Sequence, residues 1–112
     1  MKLEDVYINL DNDIPQFTKL AGVSFEGRQD FINLLQEGMK LKLKRDYKNQ
    51  YDKNAIAVYI QSNLVGWIPK YISEKLAPEM DFGIEWEAII KNITGQDKDL
   101  KGVNVELNCL TK

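Results

Sequence analysis

The segment RDYKNQYDKN, residues 45–54, gathers cations (Arg45, Lys48, Lys53), amides (Asn49, Gln50, Asn54), carboxylates (Asp46, Asp52) and phenols (Tyr47, Tyr51). This mixture suits contact with nucleic acid. Cations follow phosphates, aromatic rings stack on unpaired bases at ~1–3 kcal/mol each, and short polar groups reach sugar hydroxyls. Asp46 and Asp52 could instead work as an acid–base pair, or with a metal, in a nuclease or phosphodiesterase. With three cations and many turn amides beside them, ion pairing and turn capping are the commoner uses of such carboxylates.

Other chemistry is excluded by residue type. The chain has no histidine, which removes His-based triads, the usual neutral-pH general base and imidazole zinc sites. Its single cysteine, Cys109, cannot form an internal disulfide or a thiolate cluster, and its spacing from Val103, Val105 and Leu107 predicts a small hydrophobe on an apolar strand face. The glycine-containing AGVSFEG at 21–27 lacks the lysine and following Ser/Thr of a phosphate-binding loop. Asp11 and Asp13 form only a fragment of a calcium loop. No cofactor and no metal are expected, and a non-enzymatic module is the reading.

Charge is unevenly placed. The net formal charge is −2, which does not advertise a polyanion-binding surface overall. Yet residues 40–53 carry six basic side chains (Lys40, Lys42, Lys44, Arg45, Lys48, Lys53) against Asp46 and Asp52, while residues 74–87 carry five acids against Lys75 alone. Such a molecule can hold an anion on one side only. A length of 112 residues with 44 % hydrophobic content suits one packed domain, divided into an arm at 1–16 and a barrel domain at 17–112. No apolar stretch approaches the ~18 residues of a membrane-spanning helix, and the acidic, alternating start MKLEDVYINLDND lacks the features of an export signal. A cytoplasmic protein without membrane association is predicted.

The elements that must position the 45–54 segment follow from periodicity. Met39, Leu41 and Leu43 alternate with Lys40, Lys42 and Lys44, the period of a strand with every lysine on one face. Residues 46–54 then read as a loop, rich in Asp and Asn. Residues 55–60 and 64–68 are strands joined by a hairpin at Gln61-Ser62-Asn63, and 84–93 and 102–110 are two closing strands. An earlier strand is predicted at 17–25, weakened by Gly22. Helical spacing predicts helices at 28–37, with Gly38 as its left-handed terminator, and at 71–76, with Pro69 at its start and Pro78 ending it. About six short strands and two short helices predict a mainly β fold, a small modified OB-like or SH3-like barrel, since an open sheet of this size leaves long edges unprotected.

The string 43–58, LKRDYKNQYDKNAIAV, followed by Val65-Gly66-Trp67-Ile68-Pro69-Lys70 and preceded by Ala21-Gly22-Val23-Ser24-Phe25, resembles the HIRAN domain. In eukaryotes such modules are appended to fork-remodelling DNA translocases, and bacteria also carry short stand-alone versions, which this chain looks like. The resemblance implies a modified OB barrel that grips the 3′ end of single-stranded DNA. It matches Tyr51 and Asp52 to the pair that closes on the terminal nucleotide, Asn49 to a neighbouring polar contact, Phe25 to a stacking aromatic, and Lys70 to a basic position that can meet a phosphate. Ser24 and Trp67 depart from the arginine and histidine of one well-studied DNA-binding member, and Tyr47 stands where a proline is common. Nothing in the chain corresponds to an ATPase or a RING finger.

The candidate nucleic-acid-binding residues are thus Phe25, Arg45, Asn49, Tyr51, Asp52, Lys53, Trp67 and Lys70, and the expected partner is a single-stranded DNA 3′ end in repair or replication-fork processing. A protein partner such as a helicase or nuclease is a further expectation. The alternative is an adaptor barrel that kept the scaffold and lost DNA binding through Ser24 and Trp67. The two differ in whether Tyr51, Trp67 and Phe25 gather with Lys42, Lys44 and Lys70 about one cleft, or an acidic surface faces it.

Overall fold

Alternation along residues 40–45 builds the centre of the sheet. Lys40, Lys42 and Lys44 face solvent while Leu41 and Leu43 are buried, and the cost of exposing those leucines fixes which face turns inward. The computed structural model describes residues 14–24, 27–95 and 101–110. Among these the order is β1 (Phe17–Lys19), α1 (Arg28–Ile32), β2 (Lys40–Arg45), β3 (Ile56–Ile60), β4 (Asn63–Trp67), α2 (Lys70–Asp81), β5 (Trp86–Thr94) and β6 (Gly102–Cys109). The strands form one antiparallel sheet in the order β1-β6-β5-β2-β3-β4. Its concave side holds Leu41, Leu43, Ile56, Val58, Val65, Val103 and Val105, and α2 adds Ile72 and Leu76 to the same core. Among the described residues no helix is long and apolar enough to cross a membrane.

The sheet curls into a half-barrel, as the strand count predicts, and a single bridge draws its two edges together. Ala21 N–H donates to the Trp67 carbonyl (2.8 Å) and Trp67 N–H to that of Ala21 (2.9 Å), so the chain just beyond β1 meets the end of β4. Glycine permits this approach. A Cβ on Gly66 would stand 2.9 Å from the Ala21 carbonyl oxygen and 3.0 Å from Val23 Cγ1. Gly22 holds a left-handed φ of 69° with Trp67 Cδ1 3.0 Å from where its Cβ would be. Arg28 Nη1 donates to the Gly22 carbonyl (2.5 Å) and Gln29 Nε2 to that of Val23 (2.9 Å), so α1 pins the same segment.

Three predicted boundaries are corrected. The first strand stops at Lys19 rather than reaching residue 25, because the left-handed turn at Gly22 ends the pleat. The helix predicted at 28–37 spans only Arg28–Ile32; Leu34 and Leu35 continue as single turns, with Leu35 buried and Leu34 69 % exposed. The helix predicted to end at Pro78 runs through it to Asp81. Glu74 and Pro78 both face solvent, where water can meet the carbonyl that proline leaves without a donor. Pro69 does stand at the N-cap, and the hairpin closes in the two residues Gln61 and Ser62, Gln61 taking a left-handed φ of 54°. Cys109 is half-buried rather than sealed in the core. Of the predicted arm, residues 1–13 lie outside the described residues; Ile14 is buried, and the Gln16 carbonyl accepts from Leu107 N–H (2.7 Å).

The 46–54 loop is fastened to α2 by Arg45. Period two puts this arginine on the face of Leu41 and Leu43, not with the lysines, and its side chain is only 8 % exposed at the rim of the core. Nε donates to Asp81 Oδ1 (2.9 Å), Nη1 to the Ala55 carbonyl (2.7 Å), and Nη2 to the Lys53 carbonyl (3.1 Å) and Asp81 Oδ2 (3.3 Å). The Tyr47 ring lies 4.6 Å from the guanidinium, and its hydroxyl donates to Asp81 Oδ1 (2.7 Å). The Arg45 hydrogen bond holds the Asp81 carboxyl below the usual carboxylate range, while donation to Asp81 raises the Tyr47 phenol above its own.

These contacts predict stability effects readable by denaturant or thermal unfolding. Gly66→Ala crowds backbone at the seam and is expected to cost about 1–3 kcal/mol. Arg45→Ala leaves two loop carbonyls without their donor and is expected to cost about 2–3 kcal/mol. Asp81 is 41 % exposed, so Asp81→Asn should cost no more than about 1 kcal/mol at pH 7. Because the folded-state pKa of Asp81 is depressed, its contribution is complete above the ordinary Asp value of about 4 and lost as pH falls through the lower folded value. Wild type and Asp81→Asn should therefore converge in stability on acidification.

Candidate nucleic-acid interface

Side-chain caps shape the loop that leads from β2 to β3. Asn49 Oδ1 accepts from the backbone N–H of both Tyr51 (2.8 Å) and Asp52 (2.9 Å), and Asp52 Oδ1 accepts from Asn54 N–H (2.9 Å). Asp46 supports the first turn by accepting from Lys48 N–H (3.2 Å) and Asn49 Nδ2 (3.4 Å). These bonds are the Asx-turn chemistry that makes Asp and Asn favour loops over strands. Their result is a turn that holds Tyr51 outward, 91 % exposed, next to a carboxylate whose direction is set by its own cap.

Asp52 is also tied to the start of α2. The hydroxyl of Ser73, fully buried, lies 3.4 Å from Asp52 Oδ2 and 3.2 Å from the Lys70 carbonyl. Asn49, Tyr51, Asp52, Trp67 and Lys70 together line an open cleft of about 320 Å³ with Ala55 and Ile68. The cleft mouth thus combines a phenol, an indole, a carboxylate, an amide and an ammonium. It lies where α2 begins, and an N-cap of proline leaves the first helical N–H groups without a side-chain cap. That end of a helix favours negative charge.

Five of the eight predicted site residues therefore come together, from the loop, the end of β4 and the first turn of α2. Of the other three, two do not line the cleft and one is not described. Arg45 donates to Asp81 and to two loop carbonyls, contacts that fix the loop. Lys53 is exposed but does not line the cleft; its carbonyl accepts from Arg45. Phe25 lies outside the described residues. The other phenol of the loop, Tyr47, donates its hydroxyl to Asp81 Oδ1.

Ser73 and Asp81 enter the site's surroundings only through the tertiary structure. Ser73 follows Lys70 by three positions, one helical turn, and a helix that starts at Lys70 rather than Tyr71 sets the two on one side. The two carboxylates weighed for catalysis, Asp46 and Asp52, serve as turn caps, and the described residues contain no group of three or more acids or cysteines able to hold a metal.

The family model of the HIRAN domain matches residues 15–109. Among solved structures, a structural-genomics target from Lactobacillus plantarum superposes with a TM-score of 0.72 at 25 % identity, over 83 % of this chain and 89 % of that one. The HIRAN domain of human HLTF superposes with a TM-score of 0.61 at 24 % identity, over 81 % of this chain and 72 % of that one, a likeness of fold. No curated protein matches the chain. With the family pattern spanning nearly all of the barrel, cleft included, the chain belongs to the HIRAN domain family.

Proposed function

We propose that this protein binds single-stranded DNA at a free 3′-hydroxyl end, as a module of DNA repair or replication-fork processing. The observation that carries the reading is the solvent-held Tyr51 beside Asp52 in a cleft shared with Asn49, Trp67 and Lys70. Tyr51 and Trp67 offer faces for the last bases, Lys70 and the uncapped start of α2 meet a phosphate, and Asp52 Oδ2 accepts from the terminal hydroxyl. An ionised carboxylate only accepts hydrogen bonds, so it suits a hydroxyl and repels a phosphate placed there. The family membership supports a binding role of this kind. The loop caps support it too, since a preformed turn loses little freedom on binding.

Fluorescence-polarisation titration of short oligonucleotides tests the reading. A 3′-phosphate is expected to weaken binding by on the order of 1–4 kcal/mol relative to a 3′-hydroxyl. Asp52→Asn keeps the cap to Asn54 and should abolish that discrimination. Tyr51→Ala should cost ~1–3 kcal/mol of affinity. Equal binding of both ends by the wild type would defeat end recognition, and no binding of either would leave the adaptor role.

A further inference from the structure

The outer face of the β2–β3–β4 ladder carries a second constellation that shares only Trp67 with the cleft. Lys44 stands opposite Ala57, which stands opposite Trp67; one step along, Lys42 stands opposite Tyr59, which stands opposite Leu64. Opposed residues of an antiparallel ladder project to the same side. Lys42, Lys44, Tyr59 and Trp67 therefore share one face, and Trp67 belongs both to it and to the cleft. The register shift at Val58/Tyr59 preserves this arrangement: Val65 and Gly66 are both buried, while Leu64 and Trp67 stay partly open.

At the far end of that face a hollow of about 200 Å³ is lined by Lys42, Lys44, Tyr59, Gln61 and Ser62. The Lys44 ammonium lies 5.9 Å from the Tyr59 ring centroid, a contact that favours one position for a flexible side chain. Neither Lys42 nor Lys44 forms an ion pair among the described residues. On the β5 side, Glu87 stands opposite Lys42 and pairs with Lys40 at 4.0 Å. The hollow thus offers two ammonium groups, a hydroxyl and an amide at a hairpin turn, chemistry suited to a phosphate.

We propose that this hollow takes a backbone phosphate of the same single strand, a few nucleotides in from the end held by the cleft. This rests on the cleft reading for the identity of the strand. Residue 57, beside the cleft, and residue 61, at the hollow, are about 13 Å apart along an extended chain, and the shared Trp67 face runs from one site towards the other. Lys42 and Lys44 make the phosphate contacts, and Tyr59 is a positioning residue for Lys44.

The test compares 3′-hydroxyl oligothymidylates, a trinucleotide and a decanucleotide, on wild type, a Lys42→Gln/Lys44→Gln double variant and Tyr51→Ala. Wild type is expected to bind the longer strand more tightly and with steeper salt dependence. The double variant should bind the trinucleotide as wild type does, lose the gain with length, and lower the salt slope by about 1.4, at roughly 0.7 per contact. Tyr59→Leu should remove part of the length gain and leave trinucleotide affinity unchanged. A length gain that survives in the double variant, or none in wild type, overturns the proposal while Tyr51-dependent trinucleotide binding still upholds the cleft. Decanucleotide binding that depends on the lysines but not on Tyr51 overturns the cleft and upholds a phosphate site here.

Discussion

One guanidinium holds the loop between β2 and β3 to the rest of the molecule. Arg45 emerges from β2 on the buried side, and its donors engage a carboxylate near the end of α2 and two carbonyls of the loop that follows it. The planar fork of arginine is suited to this, because its donors point in fixed directions and it stays charged throughout the accessible pH range. A lysine there could not hold Asp81 and two carbonyls in the same geometry. Without the clamp, the turns built by Asp46, Asn49 and Asp52 would be local structures with nothing to orient them against α2.

Rigidity in the loop bears on the proposed stacking at its tip. Tyr51 is the most exposed of the large aromatic and apolar side chains among the described residues, yet its backbone is held by Asn49, and the neighbouring Asp52 is held by Asn54 and approached by Ser73. A ring presented this way has already lost the backbone freedom that stacking would require it to give up. Lys70 and Trp67 reach the same cleft from α2 and β4, so the site is assembled on three elements whose relative placement the core fixes.

Trp67 couples the architecture to the surface. Its backbone closes the half-barrel through Ala21, its ring packs near the Gly22 turn, and its side chain lines the cleft. Gly66, just before it, must be glycine for the seam to close. Changes at this seam will therefore alter stability and site shape together, whereas Lys42 and Lys44, out on the convex face, can vary without touching the core.

Much of this was legible in the sequence because it rests on local rules. Alternation across residues 39–44 gives the lysine face and the buried leucines, the Asp/Asn density of 46–54 gives a capped loop, and the zero histidine count removes whole classes of chemistry. The same alternation carries Arg45 onto the buried side, a signal present in the pattern but outweighed by grouping it with the loop cations. The reach of α2 through Pro78, the joining of Ala21 to Trp67, and the pairings of Arg45 with Asp81 and Asp52 with Ser73 link residues 21 to 46 positions apart or depend on which helix face meets water. Periodicity constrains each element's own faces but not the partner another element brings to it. That choice is made only when the sheet curls and α2 packs against its core.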